Sequence, residues 1–341
     1  MSNWQNWAVA LILLLCIVRI GQRVYAFFMK VREKRNPCEN CATGCELKQL
    51  YEKKRSEYSD GKKEIKKKIF PDFTIIPNEK TVNLIINENK SLSRFGDGEF
   101  MWILDKNQNS YQDNSPQLAQ ELLETLQSND KNLLIGIPGG IIDSSKCRLQ
   151  ARMHWLIVKN EDFSDILKYL NPSRRYCDAS ITRPYIDYNN KVFSQNSFNN
   201  LKRIWDKRKV VIVEGEKTKL GMGNNLFDNT ISIQRIICPA QNAYEKIDRI
   251  MEAIRKYVHK DELILAALGP TATILVARAC QMGFQAIDIG HIDIEYMWFL
   301  SGTLLRKSIE GKYVNESSDR ICTNKYDDDS TYLSSIIEKV L

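Results

Sequence analysis

Apolar positions along the chain fall into short continuous runs and longer helical faces. Leu133–Ile137, Lys209–Val213, Leu263–Leu268 and Phe284–Ile289 are short apolar runs. The first three stop at Pro138-Gly139-Gly140, Glu214-Gly215 and Gly269-Pro270-Thr271. Runs of this length without alternation predict strands buried on both faces, as in a parallel sheet. Between them lie helical patterns. Ser115-Pro116 supplies an N-cap and a first helical residue, and Leu118, Leu122, Leu123 and Leu126 then mark one face. Val82–Asn87 reads as a helix end leading into Ser91. Tyr244, Ile247, Ile250, Met251, Ile254, Tyr257 and Val258 share a face of a long helix.

The stretch from Leu263 through a glycine turn, an apolar helix to Met282, a stop at Gly283 and a strand at Phe284–Ile289 predicts a βαβ unit. The expected class is therefore α/β: a Rossmann-like doubly wound, mainly parallel sheet, with ligands gathering beyond the C-terminal strand ends. The domain is expected over residues 71–320, beginning near Phe70-Pro71. A final helix carrying Leu333, Ile336, Ile337 and Val340 is expected in 321–341, after the acidic turn Asp327-Asp328-Asp329.

The N-terminus differs in kind. Trp4–Val18 is nearly all apolar, and a second apolar patch follows at Val24–Met29. The first run is shorter than the roughly 20 residues of an ideal span, but Arg19 and Arg23 can snorkel toward headgroups. A signal peptide would carry its positive charge before the run and a small-residue cleavage site after it, and neither is present. Residues 1–30 are read as a membrane-anchor helix, spanning or lying in the interface. Arg19, Arg23, Lys30, Arg32, Lys34 and Arg35 all follow the run, which predicts a cytosolic body.

Charge sharpens this division. Residues 1–70 hold 15 of the 49 Lys and Arg against 7 of the 42 Asp and Glu, leaving 34 basic and 35 acidic side chains in the body. The basic arm, including Lys62, Lys63 and Lys66–Lys68, suits anionic lipid. The near-neutral body argues against a nucleic-acid partner. The nine cysteines are odd in number and dispersed, which favours a reducing compartment over a disulfide framework. Cys38, Cys41 and Cys45 cluster in the 31–70 linker, one thiol short of a closed zinc site, with metal binding and free thiols both open.

Four segments carry candidate chemistry. Ser93-Arg94-Phe95-Gly96-Asp97-Gly98-Glu99-Phe100 sets two carboxylates two residues apart among glycines, oxygen ligands suited to a hard divalent cation. Arg94 suits a phosphate or carboxylate. Val213–Phe227 follows a buried strand. Its Gly221, Gly223, Asn224 and Asn225 suit a nucleotide or pyrophosphate without matching a Walker A loop. Asp288–Tyr296 closes another strand, where alternation would put His291, Asp293 and Glu295 on one face for metal, phosphate or acid–base work. Asp178–Tyr185 offers Arg183 as a phosphate clamp and Tyr185 as a stacking surface.

Together Ser93–Phe100, Ile181–Tyr188, Val213–Phe227, Leu268–Thr273 and Asp288–Tyr296 resemble the GT-D-type glycosyltransferase family in motif order, over roughly residues 75–315. The resemblance implies a Rossmann-like fold, an Asp-x-Glu metal motif and transfer of glucose from UDP-glucose to a bacterial surface glycan. It implies that Asp97 and Glu99 hold Mn2+ or Mg2+ against the donor diphosphate, with Arg94 neutralising charge. Gly221–Asn225 and Gly269–Thr271 would line the nucleotide pocket. His291 would sit near the metal or diphosphate, and Glu295 would serve as acceptor base. The sequence departs from the family at Lys217-Thr218-Lys219, where a Ser-Arg pair is expected, though hydroxyl and positive charge are kept. The acceptor would be a glycan or lipid-linked sugar. The competing class is another phosphate-handling α/β enzyme, a phosphosugar isomerase or nucleotide hydrolase.

Overall fold

The computed structural model describes residues 73–106, 111–188, 190–317 and 323–341, together with Val18, Arg19 and Gln22. The chain divides into two compact units, Met1–Phe70 and Pro71–Leu341. The cysteine cluster, and the anchor expected over 1–30 apart from those three residues, lie outside the described residues. Among the described residues no helix is long and apolar enough to cross a membrane.

The second unit is built on a nine-stranded sheet in the order β1-β4-β3-β2-β8-β7-β5-β6-β9. The strands are β1 (Thr74–Ile76), β2 (Ser91–Arg94), β3 (Leu133–Ile137), β4 (Arg175–Asp178), β5 (Lys209–Gly215), β6 (Ser232–Cys238), β7 (Leu263–Ala267), β8 (Gln285–Asp288) and β9 (Ile336–Lys339). Every pairing between them is parallel. The continuous apolar runs follow from this: β7 is buried at all five positions and β5 at all but the first. An all-parallel sheet hides both faces, so neither can carry a polar stripe.

The strand order reverses at the centre. From β2 the chain steps outward through β3 to β4, while β8, β7 and β5 occupy the other half. Such a switch point opens a crevice beyond the strands' carboxyl ends. Two hydroxyls pin the edge of that crevice. Ser93 Oγ donates to Thr273 O at 2.8 Å, and Thr273 Oγ1 donates to Arg94 O at 2.9 Å. Thr273 lies in the helix Pro270–Gln281, which packs on β2 and β8. Ser115 caps the helix Pro116–Gln127 by accepting from Leu118 N at 3.1 Å, as the Ser-Pro signal predicts.

Two expectations are corrected. The final helix does not reach Val340: it covers only Ser330–Ser335, and Ile336–Lys339 pairs with β6 as β9. Asp329 caps the short helix, but the β-branched Ile336-Ile337 pair that follows is better satisfied by an open sheet edge than by one more helical turn. The second correction is that Asp288–Tyr296 is not one alternating strand. β8 ends at Asp288, Gly290 turns with φ +46°, and the helix Ile292–Ser301 begins. His291, Asp293 and Glu295 therefore do not share a strand face.

Candidate functional site

The crevice is a cleft of about 620 Å³ at the carboxyl ends of the central strands. Its lining includes Arg94 at the end of β2, Pro138 after β3, Ala179 after β4, Gly215 at the end of β5, Gly269 after β7 and Asp288 at the end of β8. Six consecutive strands of the sheet thus contribute their last residue, or one just beyond it, to one cavity large enough for a small ligand.

Asp97 and Glu99 open the helix Asp97–Ile103 directly after β2. Gly96 is the N-cap, and because glycine has no side chain to cap with, Glu99 supplies the reciprocal half: its Oε2 accepts from Gly96 N at 2.8 Å. Both carboxylates line the cleft. Asp97 is about half exposed and accepts from His154 Nε2 at 3.1 Å. Burial works to raise the Asp97 carboxyl, but the hydrogen bond and charge of His154 outweigh it and hold it below its ordinary value. The same bond raises His154. Glu99 behaves oppositely: burial, then the nearby Asp288 charge, push it up to about 7.

Arg94 is engaged in tying strand ends together. Its Nε donates to Asp288 O at 2.7 Å, Nη2 to Asp288 Oδ1 at 2.8 Å and Nη1 to Ala179 O at 2.9 Å. The guanidinium lines the cleft while clamping β2 to the ends of β8 and β4. Its expected role in neutralising phosphate is thereby narrowed to the hydrogens left over from this clamp.

A second cluster forms around Glu316. Arg183 meets it in a bidentate pair at 2.5 and 2.9 Å, and Arg306 Nε lies 3.0 Å away. His291 Nδ1 is 3.5 Å from Glu316 Oε1, at the outer limit of a hydrogen bond, and is otherwise buried without a partner. Burial alone would raise Glu316, but Arg183 and His291 drive it well below the usual carboxylate range. Arg306 also reaches Asp187 at 2.7 Å. Arg183, His291, Arg306 and Glu316 all line the cleft.

Other expected site residues lie behind this surface. Gly221 N and Asn224 Nδ2 donate to Asp293 Oδ1 at 3.0 and 2.7 Å, and Asn225 Oδ1 accepts from Tyr296 OH at 2.7 Å. Gly221 and Gly223 take φ +78° and +74°, and the Phe227 ring and Tyr326 hydroxyl fill the space a Cβ would need. None of Gly221, Gly223, Asn224 and Asn225 is in the cleft lining; the loop holds Asp293, which is, while Thr218 and Leu220 from the same segment face the cavity. Of the four residues expected to meet a pyrophosphate, Gly221 N, the Asn224 amide and Asn225 Oδ1 are engaged within the fold. Asp293 also forms a fully buried ion pair with Lys312.

Glu295 is likewise out of the lining. It is fully buried and accepts from Tyr185 N at 3.1 Å and Ile186 N at 2.9 Å, with Arg183 Nη2 at 3.7 Å. The acceptor-base expectation is corrected: without access to the cleft, Glu295 serves to hold the Tyr185–Ile186 backbone. Tyr185, expected to stack on a ligand, is buried against Phe299. Gly269 does line the cleft, with φ +56° and the Tyr111 hydroxyl where a Cβ would stand. Thr271 is fully buried below it.

Sequence reasoning missed His154, Asp187, Arg306, Glu316 and Tyr111 as site residues. His154 is one of three histidines and lies outside every motif named above. Glu316 sits in Val314-Asn315-Glu316-Ser317, where spacing carries no signal; its importance arises from a partner 133 residues away.

The cation implied by the motif would take its protein ligands from Asp97 and Glu99. Among the described residues no group of three or more His, Cys, Asp or Glu is placed to hold a metal. On the helix Asp97–Ile103 side chains two apart do not face each other, and Asp97 turns to His154 while Glu99 turns to Gly96 N; each still offers the cleft a hard oxygen donor of the kind Mg2+ or Mn2+ takes alongside water and substrate phosphates.

Comparison with known proteins places this geometry. The family model for the glycosyltransferase GT-D fold matches residues 92–317. The glycosyltransferase GlyD of Streptococcus pneumoniae serotype 4 is 35% identical over 77% of this chain and 32% of its own length. A probable glycosyl transferase, Gly, of Streptococcus gordonii is 34% identical over 77% of this chain and 38% of its own. The chain thus spans about a third of the length of these curated relatives. A solved structure described as a new glycosyltransferase from Streptococcus sanguinis superposes with a TM-score of 0.74 at 33% identity, covering 79% of this chain and all of that one. With its strand-end cleft, its Asp-x-Glu helix and this breadth of similarity, the chain belongs to the GT-D fold family of glycosyltransferases.

Proposed function

We propose that the enzyme transfers a hexose, glucose favoured, from a UDP-sugar to a hydroxyl of a glycan or lipid-linked acceptor, with Mn2+ or Mg2+ bound at Asp97 and Glu99. The observation that carries this reading is the convergence of Asp97, Glu99, Arg183, Arg306 and His291 on one cleft at the strand switch point. In the reaction the bond from the anomeric carbon to the diphosphate breaks, the acceptor oxygen bonds to that carbon, and UDP leaves. A divalent cation supplies electrostatic stabilisation of the charge growing on the departing diphosphate. Arg183 and Arg306, whose charges are matched by Glu316 and Asp187, present guanidinium hydrogen-bond donors to the cleft. His291 takes the acceptor proton at Nε2, and Glu316 beside its Nδ1 stabilises the imidazolium that results.

The N-terminal arm supports a membrane location, with residues 1–30 as the anchor and the catalytic unit on the cytosolic side, where nucleotide sugars are made. The test is a panel of UDP-, GDP- and TDP-sugars incubated with Mn2+ and a bacterial lipid-linked or surface-glycan acceptor. Transfer from a UDP-hexose that disappears with a chelator supports the assignment. Transfer undiminished by chelator, or from a non-UDP donor alone, overturns it.

A further inference from the structure

The helix Leu149–Glu161 forms one wall of the cleft through Gln150, Ala151, His154 and Trp155. Of its thirteen residues only Ala151 and Val158 are buried. The opposite face carries Leu149, Met153, Leu156 and Ile157, spaced i, i+4, i+7 and i+8, each between 52% and 73% exposed. Arg148 Nη1 donates to Leu304 O at 3.4 Å, which brings the segment after the helix Ile292–Ser301 alongside. There Leu304 and Leu305 are 62% and 65% exposed. Single exposed leucines are ordinary on a protein surface, but six large apolar side chains on two adjoining segments mark a contact surface.

Charge indicates what the contact is. No Asp or Glu occurs between Asp143 and Glu161, or between Glu295 and Glu310, whereas Lys146, Arg148, Arg152, Lys159, Arg306 and Lys307 fall in those two stretches. Lys146, Arg152 and Lys307 are exposed. Of the carboxylates nearby, Asp187 and Glu316 are engaged with Arg306, Asp97 is engaged with His154 on the cleft side of the helix, and Glu161 and Asp162 lie at the helix's C-terminal end, leaving Lys146, Arg152 and Lys307 as the exposed basic flank. An apolar stripe with basic flanks and no carboxylate between Leu149 and Ile157 matches the boundary between headgroups and acyl chains in an anionic bilayer.

We propose that this face of the catalytic unit docks on an anionic lipid surface, with the Leu149–Ile157 stripe in the interface. The same helix walls the cleft on its other side, so docking holds the cleft about one helix diameter, ~10 Å, from the lipid surface. The inference concerns the body of the enzyme and stands whichever donor the cleft takes.

Hydrogen exchange on the full chain, reconstituted in nanodiscs of phosphatidylglycerol or of phosphatidylcholine, reads the contact separately from the N-terminal arm. Exchange across residues 146–160 and 300–307 is expected to slow several-fold on phosphatidylglycerol relative to phosphatidylcholine, with the helix Ile247–Tyr257 unchanged. A variant carrying Met153→Ser, Leu156→Ser and Ile157→Ser, with its melting temperature preserved, should lose that slowing. Equal exchange in the two lipids would overturn the proposal. So would slowing that grows with protein concentration in the absence of lipid, which would assign the face to a second copy of the chain.

Discussion

Asp97 and Glu99 stand two residues apart in one helical turn, yet their surroundings push them in opposite directions. Asp97, paired with His154, is held ionised, whereas Glu99, capping Gly96 and facing the charge of Asp288, is raised to about 7. The Asp97→Asn variant should fold normally, because the side chain is half exposed and its partner His154 is too. Its transfer rate should fall roughly 100-fold or more, a loss typical of an electrostatic contact made in the transition state, measured as kcat/KM at saturating metal. Glu295 offers a separate pH prediction. Burial raises its carboxyl to about 7, ahead of the opposing charge of Arg183. Between its ordinary value and about 7 the folded state keeps a proton that the unfolded chain has released, so stability falls as pH rises through that window. The melting temperature of the ligand-free enzyme should therefore drop from about pH 5 to about pH 8. Glu295→Gln should flatten that slope; an equal slope in the variant would assign the pH effect elsewhere.

At the scale of elements, the loop after β5 and the turn after β7 shape the cleft floor. Lys312 and Asp293 are both fully buried, and Asp293 also gathers Gly221 N and Asn224. Lys312→Met leaves that carboxylate without its counter-charge and should cost about 3–5 kcal/mol in chemical denaturation. Gly269→Ala meets both a positive φ and the Tyr111 hydroxyl, so it should destabilise by about 1–3 kcal/mol and displace Tyr111 from the cleft. These elements also show what a sequence discloses. The strands β3, β5, β7 and β8 were legible because an all-parallel sheet writes itself as unbroken apolar runs, and the Ser115-Pro116 cap was legible because it is local. The helix after His291 was not: a run such as Ile292–Leu300 fits a strand or a helix equally until the Gly290 turn is seen to separate it from β8. β9 was missed because its partner, β6, lies some hundred residues earlier.

At the scale of the whole molecule, the sheet's reversal between β2 and β8 explains why motifs scattered over two hundred residues meet. The sequence motifs fall at the strand ends that line the cleft, but do not disclose which side chains are spent on structure. Arg94, Gly221–Asn225 and Glu295 carry polar groups that the fold itself consumes, while Glu316 and His154 reach the cleft through long-range contacts no spacing announces. A ligand that bridges the strand ends should stabilise the whole sheet by mass action. UDP with Mn2+ should therefore raise the melting temperature more than either alone.

The most direct measurement is calorimetric titration of UDP into the enzyme with and without Mn2+, for the native chain and for a variant carrying Asp97→Ala and Glu99→Ala. The account predicts that Mn2+ tightens UDP binding about tenfold or more in the native enzyme, equivalent to ~1.4 kcal/mol, and has no effect in the folded variant. Manganese-independent UDP affinity in the native enzyme, or a full manganese effect in the variant, would contradict it.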